Sequence, residues 1–159
     1  MNKYRPIFAS LTALLFYTST DILVWQRIFE TNNLIDYANS YHTGWFMSLA
    51  GYATVGVLLM WGAWRDCIYF LASLFVGAFS GLEDLLYYIL DRKPIPASLP
   101  WLGNNPMIHS VSRAGVIGSV AFWIGALIVL YIALYLWEND RNVKSRVRQD
   151  KRENHGNLP

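Results

Sequence analysis

Cysteine is nearly absent from this chain, with Cys67 the only one. An intrachain disulfide is therefore excluded, as is a structural metal site built from several cysteines. A lone cysteine near a helix end reads as a small hydrophobe. Charge is scarce too. Charged residues make up 15% of the 159 positions, whereas a soluble domain carries about 25%. A net charge of +2 is too small for the basic footprint of a nucleic-acid binder, so no nucleic-acid partner is expected. Short catalytic signatures are missing as well: there is no Gly-rich phosphate loop, no G-x-S-x-G elbow and no H-E-x-x-H. No Glu-x-x-His or His-x-x-x-His pair occurs, no histidines on facing spans suggest a bis-histidine haem, and no internal repeat is found.

What remains is apolar and aromatic. Hydrophobic residues make up 54% of the chain and aromatics 16%, with seven Trp and ten Tyr. A membrane-spanning helix needs about 20 mostly apolar residues, and four stretches qualify: about 7–25, 44–64, 67–90 and 114–137. The expected fold is all-α: an integral membrane four-helix bundle over residues 1–137, followed by a basic cytoplasmic tail over 138–159. The first span follows Lys3 and Arg5 as a signal peptide would, but its apolar run is too long and no A-x-A site follows, so it reads as retained. With four spans both termini share a side. Nine of the thirteen Lys and Arg fall on that side, from Lys3, Arg5 and Arg65 to the tail; Arg27, Arg92, Lys93 and Arg113 fall on the other. The positive-inside rule then puts both termini in the cytoplasm. Trp25, Trp45 and Trp101 are expected near the outer interface, and Trp61, Trp64 and Trp137 near the inner one.

Spans two and three, separated only by a turn around Trp64, Arg65 and Asp66, are expected to form an antiparallel hairpin. Ser73, Gly77 and Gly81 recur every four residues on span three; Ala114 with Gly118, and Ala121 with Gly125, repeat the interval on span four. Such small-residue ridges let helices approach closely, within one chain or between neighbouring subunits. In the first outer loop Leu34, Tyr37, Ala38 and Tyr41 follow helical spacing, with Asn33 and Asp36 in capping-box positions, which predicts a short interfacial helix. The second outer loop, with Pro94, Pro96, Pro100 and Pro106 among Ile95, Leu99, Trp101 and Leu102, is expected to lie over the mouth of the bundle. Asn105–Pro106 predicts a helix start near Met107. The tail reads as a solvated extension, and its cations would also suit anionic membrane lipid.

The candidate site comes from depth. Asp21 lies near the outer end of span one, Glu83 and Asp84 near the outer end of span three, and His42 and His109 precede spans two and four. All five are expected at one membrane interface. Carboxylates within a span are costly and mark functional candidates. On a straight helix Asp84 lies 60° from the Gly77–Gly81 ridge, as 100° per residue dictates. It is therefore the first choice for the central residue, ahead of Glu83 and Asp21. Tyr87 and Tyr88 are placed to orient the carboxylates, while His109 and Arg113 would share a helical face.

Three chemistries fit these residues. Asp21, Glu83, Asp84, His42 and His109 are the ligand types of a divalent metal such as iron, manganese or zinc. Neighbouring carboxylates in a low dielectric repel, so one can hold a proton for acid–base work, with Asp84, Glu83, Asp21, Tyr87 and Tyr88 as the catalytic set. Alternatively, Asp21 or Asp84 pairs with Arg113 and serves structure alone. The segment Gly81-Leu82-Glu83-Asp84-Leu85-Leu86-Tyr87-Tyr88 resembles, over eight residues, the acidic–aromatic helix motif of small membrane carotenoid cyclases. It lacks the proline expected before the acids. The resemblance implies no family membership but brings isoprenoid-like substrates into consideration. The expected function is a membrane site that binds a cation or acts on a lipid-soluble molecule; the alternative is an accessory subunit or assembly factor, in a homo-oligomer or a larger membrane complex.

Overall fold

The computed structural model describes residues 4–26, 28 and 38–156, with side chains over 4–25, 28 and 41–141. Among these residues all regular structure is helical apart from one isolated bridge, Ser98 to Ser112. Helix α1 spans Arg5–Thr20 and continues as a π-helical turn, Asp21–Gln26. Pro6 sits in the first turn of α1, where its missing N–H costs nothing. Helix α2 spans Ala38–Leu59, α3 Trp64–Phe79, α4 Leu82–Leu90 and α5 Arg113–Gly156. A 3-10 turn, Pro100–Asn104, stands between α4 and α5.

Two segments are long and apolar enough to cross a membrane, Arg5–Trp25 and Arg113–Arg141; α3 with α4 makes a third if the bent pair counts as one span. Helix α2 has the length, at 22 residues. Its Gly, Ser, Thr and Tyr content keeps it out of the set of clearly apolar helices. Its start also revises one expectation: Ala38 and Tyr41 belong to the first turns of this long helix, while positions 33–37 of the proposed interfacial helix lie outside the described residues.

Helix α3 is the hub. It packs most extensively on α1 and also touches α2, α4 and α5. Leu14 and Tyr17 of α1, Leu49 of α2, and Phe70, Leu74 and Ala78 of α3 form one buried cluster. Gly77 allows the approach, because a Cβ there would stand 2.9 Å from Leu14 Cδ2. A second cluster joins Leu85 of α4, Leu99 and Leu102 of the connecting loop, and Val116 and Val120 of α5. Leu82 touches both. The ridge on α5 does something different: nothing lies within 4 Å of a Cβ built on Gly118 or Gly125.

Several boundaries differ from the sequence expectation. The α2–α3 turn lies at Met60–Ala63, made by Gly62 at φ +84, so Trp64, Arg65 and Asp66 form the first turn of α3. Arg65 there donates to Asp66 at 3.0 Å and also pairs with Glu138 of α5, while Trp64 meets the Trp137 ring edge-on at 5.0 Å. The expected third span is broken. Gly81 adopts φ +87, and α4 leaves α3 at 68°. Glycine reaches this left-handed region without the Cβ penalty other residues meet. Finally, α5 begins at Arg113 rather than near Met107, because Asn105 forms a side-chain turn with Met107 N–H (3.0 Å) and Ser98 bridges to Ser112. Backbone helix then runs unbroken past Trp137 to Gly156.

Candidate functional site

The break at Gly81 opens the site. In an unbroken helix the carbonyl of Phe79 would accept from residue 83; here Asn105 Nδ2 donates to it at 2.7 Å. Asn105 thus satisfies one of the orphan carbonyls that end α3, which anchors the second loop over the break. Leu99 N–H to Val111 O (2.8 Å) and Arg113 N–H to Ala97 O (2.9 Å) close that loop on itself. Leu99 and Leu102 are buried beneath it, and Trp101 remains exposed.

A cavity of about 820 Å³ lies between this loop and the ends of α1, α2, α3 and α4. Ligand pockets run from about 300 to 1,000 Å³. Asp21, Glu83, Asp84, His42, Tyr87 and Tyr88 all line it. Six of the seven residues chosen from the sequence are therefore gathered in one place. His109 is not. It sits exposed on the turn before α5, outside any helix, and its backbone N–H donates to Ser119 Oγ at 3.0 Å. It shares no helical face with Arg113, whose Nε donates to the Pro96 carbonyl (3.2 Å). The expected ion pair from Arg113 to Asp21 or Asp84 does not occur among the described residues.

The order of the carboxylates changes as well. Angles counted from Gly77 through Gly81 do not carry across the kink, so Asp84 is not fixed by the ridge. Glu83 is the more buried acid, at 6% exposure, with Asp84 half-buried. Both stand in the first turn of α4, where the helix dipole favours negative charge. Each Asp has a neutral donor. Asp21, 6% exposed, accepts from the Tyr41 hydroxyl at 2.8 Å, and Asp84 accepts from the Trp101 indole at 2.8 Å. Glu83 Oε1 is buried with no hydrogen-bond partner. The Tyr17 hydroxyl, from the neighbouring face of α1, is in the same condition.

Around the acids the wall is aromatic. Trp45 lies half-buried between Tyr17 (5.4 Å between ring centroids) and Phe79 (5.4 Å) and forms a wall of the cavity. Tyr87 and Tyr88 meet edge-to-face at 5.4 Å. No Lys or Arg among the described residues lines the cavity. Among the described residues no three His, Cys, Asp or Glu side chains converge as metal ligands. The iron, manganese or zinc expectation at Asp21, Glu83, Asp84, His42 and His109 therefore has no ligand geometry behind it among the described residues, and His109 does not line the cavity.

Tyr41, Trp45, Phe79, Trp101 and Asn105 are site residues that the sequence did not single out as such. The available signal was Ser80–Gly81 followed, after Leu82, by two acids, which is the pattern of a helix stop and a new helix start. The chain matches no protein family, no curated protein and no solved structure in comparison.

Proposed function

We propose that this is an integral membrane protein crossing the bilayer four times, with both termini cytoplasmic, whose acidic–aromatic cavity receives a lipid-soluble molecule near the outer interface. The observation that carries the proposal is Glu83: a nearly fully buried acid with an unpartnered oxygen, on the wall of an 820 Å³ cavity. Buried polar groups are normally paired, so an orphan at a cavity invites a ligand. The size of the cavity and its aromatic lining suit a molecule with an extended apolar part, isoprenoid-like molecules included. Glu83 is the first candidate for the group that meets the polar end of the ligand. Asp84 and Asp21, held by Trp101 and Tyr41, flank it. Support for four spans comes from the length of α2, about 33 Å at 1.5 Å per residue, against roughly 30 Å of hydrocarbon. The nine-to-four distribution of Lys and Arg supports the orientation.

The second reading is an accessory subunit. It is favoured by the open ridge of α5, where Ala114, Gly118, Ala121 and Gly125 are all exposed. One purification tests both. The full chain, its Glu83→Gln variant and its Gly118→Leu variant are isolated in mild detergent, and bound small molecules and co-eluting subunits are identified by mass spectrometry. A lipid-soluble compound near one equivalent in wild type and depleted in Glu83→Gln supports the site. A stoichiometric subunit lost only in Gly118→Leu supports the accessory role. The same lipid complement in wild type and Glu83→Gln sinks the cavity proposal.

A further inference from the structure

The chemistry of the cavity narrows the class of ligand. Among the described residues three carboxylates line it and no Lys or Arg does. Two of the acids have neutral donors, from Tyr41 and Trp101. The third, Glu83, has a buried oxygen with none. A carboxylate in a low-dielectric site is stable only with a positive partner or a full set of hydrogen bonds. The described residues supply neither to Glu83 Oε1. An anionic ligand would add a like charge to three acids. A neutral hydrocarbon ligand would leave the orphan oxygen unanswered. A bare metal ion would need several converging oxygen or nitrogen ligands, and no such group occurs among the described residues.

The rest of the wall is the kind that attracts a soft cation. Tyr41, Trp45, Phe79, Tyr88 and Trp101 line the same space. Aromatic faces attract cations through the ring quadrupole, and quaternary or alkylated ammonium groups are the ions best suited to them because they shed water easily. An ammonium alone would occupy a small part of 820 Å³; the remainder is apolar and aromatic, and suits alkyl or aryl substituents. We propose that the cavity binds a lipophilic organic ammonium ion, its positive centre against Glu83 and its apolar part against the aromatic wall. This rests on the preceding proposal that the cavity is a ligand site. The ammonium could be carried by a free lipophilic amine or by the choline headgroup of a membrane lipid. The phosphate of a headgroup would meet the same carboxylates, which favours the free amine.

The test uses the full chain in nanodiscs, with intrinsic tryptophan fluorescence as the readout, since Trp45 and Trp101 line the cavity. Four probes are titrated: decyltrimethylammonium, decylphosphocholine, 1-decanol and geranylgeraniol. Wild type is expected to bind decyltrimethylammonium at least roughly tenfold more tightly than either neutral alcohol, and Glu83→Gln to lose roughly tenfold or more in that affinity, as removal of a buried charge partner does. Decylphosphocholine binding much more weakly supports the free amine as the source; equal binding supports the lipid headgroup. Alcohols binding as tightly as the cation overturn the ammonium proposal while leaving the ligand site standing. Binding of none of the four overturns both. The comparison among probes on wild type does not depend on the variant. For Glu83→Gln, a melting curve and elution volume matching wild type confirm that lost affinity is not lost fold; unchanged affinity in that folded variant overturns the proposal.

Discussion

A methyl group on Gly56 would stand 2.0 Å from Phe70 Cζ and 2.1 Å from Phe70 Cε1, and Phe70 is 1% exposed in the α1–α2–α3 core. The ring is packed in the buried cluster that includes Leu14, Tyr17, Leu49 and Leu74. Gly56→Ala is therefore expected to cost about 1–3 kcal/mol, the range for overpacking a filled core. Gly118→Ala, where nothing lies within 4 Å, is the control and should leave stability unchanged or slightly raised. Thermal melting of both variants in one detergent measures the difference; equal melting temperatures would contradict the packing of α2 on α3. The same residue-level logic separates the acids. Sequence placed Asp21, Glu83 and Asp84 at one depth and ranked Asp84 first from helical angles alone; it could not see their donors, because Tyr41 and Trp101 lie 20 and 17 positions away from Asp21 and Asp84.

The pair α3 and α4 is made by one residue. Gly81 holds φ +87, and a Cβ there would also meet Val116 Cγ1 at 2.7 Å. Gly81→Ala is expected to lose about 1–2 kcal/mol from the left-handed backbone alone, with the Val116 collision added. Its consequence should exceed stability. If α4 swings back toward the axis of α3, Glu83 and Asp84 leave the cavity wall, and the Trp101–Asp84 hydrogen bond is lost. Tryptophan emission measured alongside the melting curve checks this: a shift with Gly81→Ala and none with Gly118→Ala is the expected pattern. Equal stability of the two variants would mean that the kink is not specified by Gly81. Helical periodicity could not reveal the break, because Gly81 also continues the Ser73–Gly77 ridge at four-residue spacing. One glycine satisfies both patterns, and only packing against Val116 and Leu102 decides between them.

At the scale of the whole molecule, α5 is the longest element, 44 residues or about 66 Å of helix against roughly 30 Å of hydrocarbon. Its apolar part ends near Arg141, so the rest is expected to project from the membrane on the side of the N-terminus. The single cysteine makes this testable. With Cys67→Ser as background, Asn104→Cys in the second loop and Glu153→Cys in the tail are labelled with an impermeant maleimide on intact cells. Asn104→Cys should react at once and Glu153→Cys only after permeabilisation; the reverse order would invert the topology and move the cavity to the cytoplasmic side. The end opposite the cavity is held by side chains close in space but far apart in sequence, with Arg5 donating to the Leu59 carbonyl and Arg65 joining Asp66 to Glu138.

The sequence by itself determined the helical class, the apolar segments near both ends of the chain, and six charged or aromatic residues that the fold gathers around one cavity, because hydropathy and the depth of a charge along a helix are local quantities. Tertiary structure alone decided that the expected third span is bent, that Glu83 and not Asp84 is the buried and unpartnered acid, and that His109 stands apart. Each of those depends on contacts between distant segments: Val116 against Gly81, Asn105 on the carbonyl of Phe79, Trp101 on Asp84 and Tyr41 on Asp21. A side chain's partner across the fold is a property of packing, and periodicity along one helix carries no information about it.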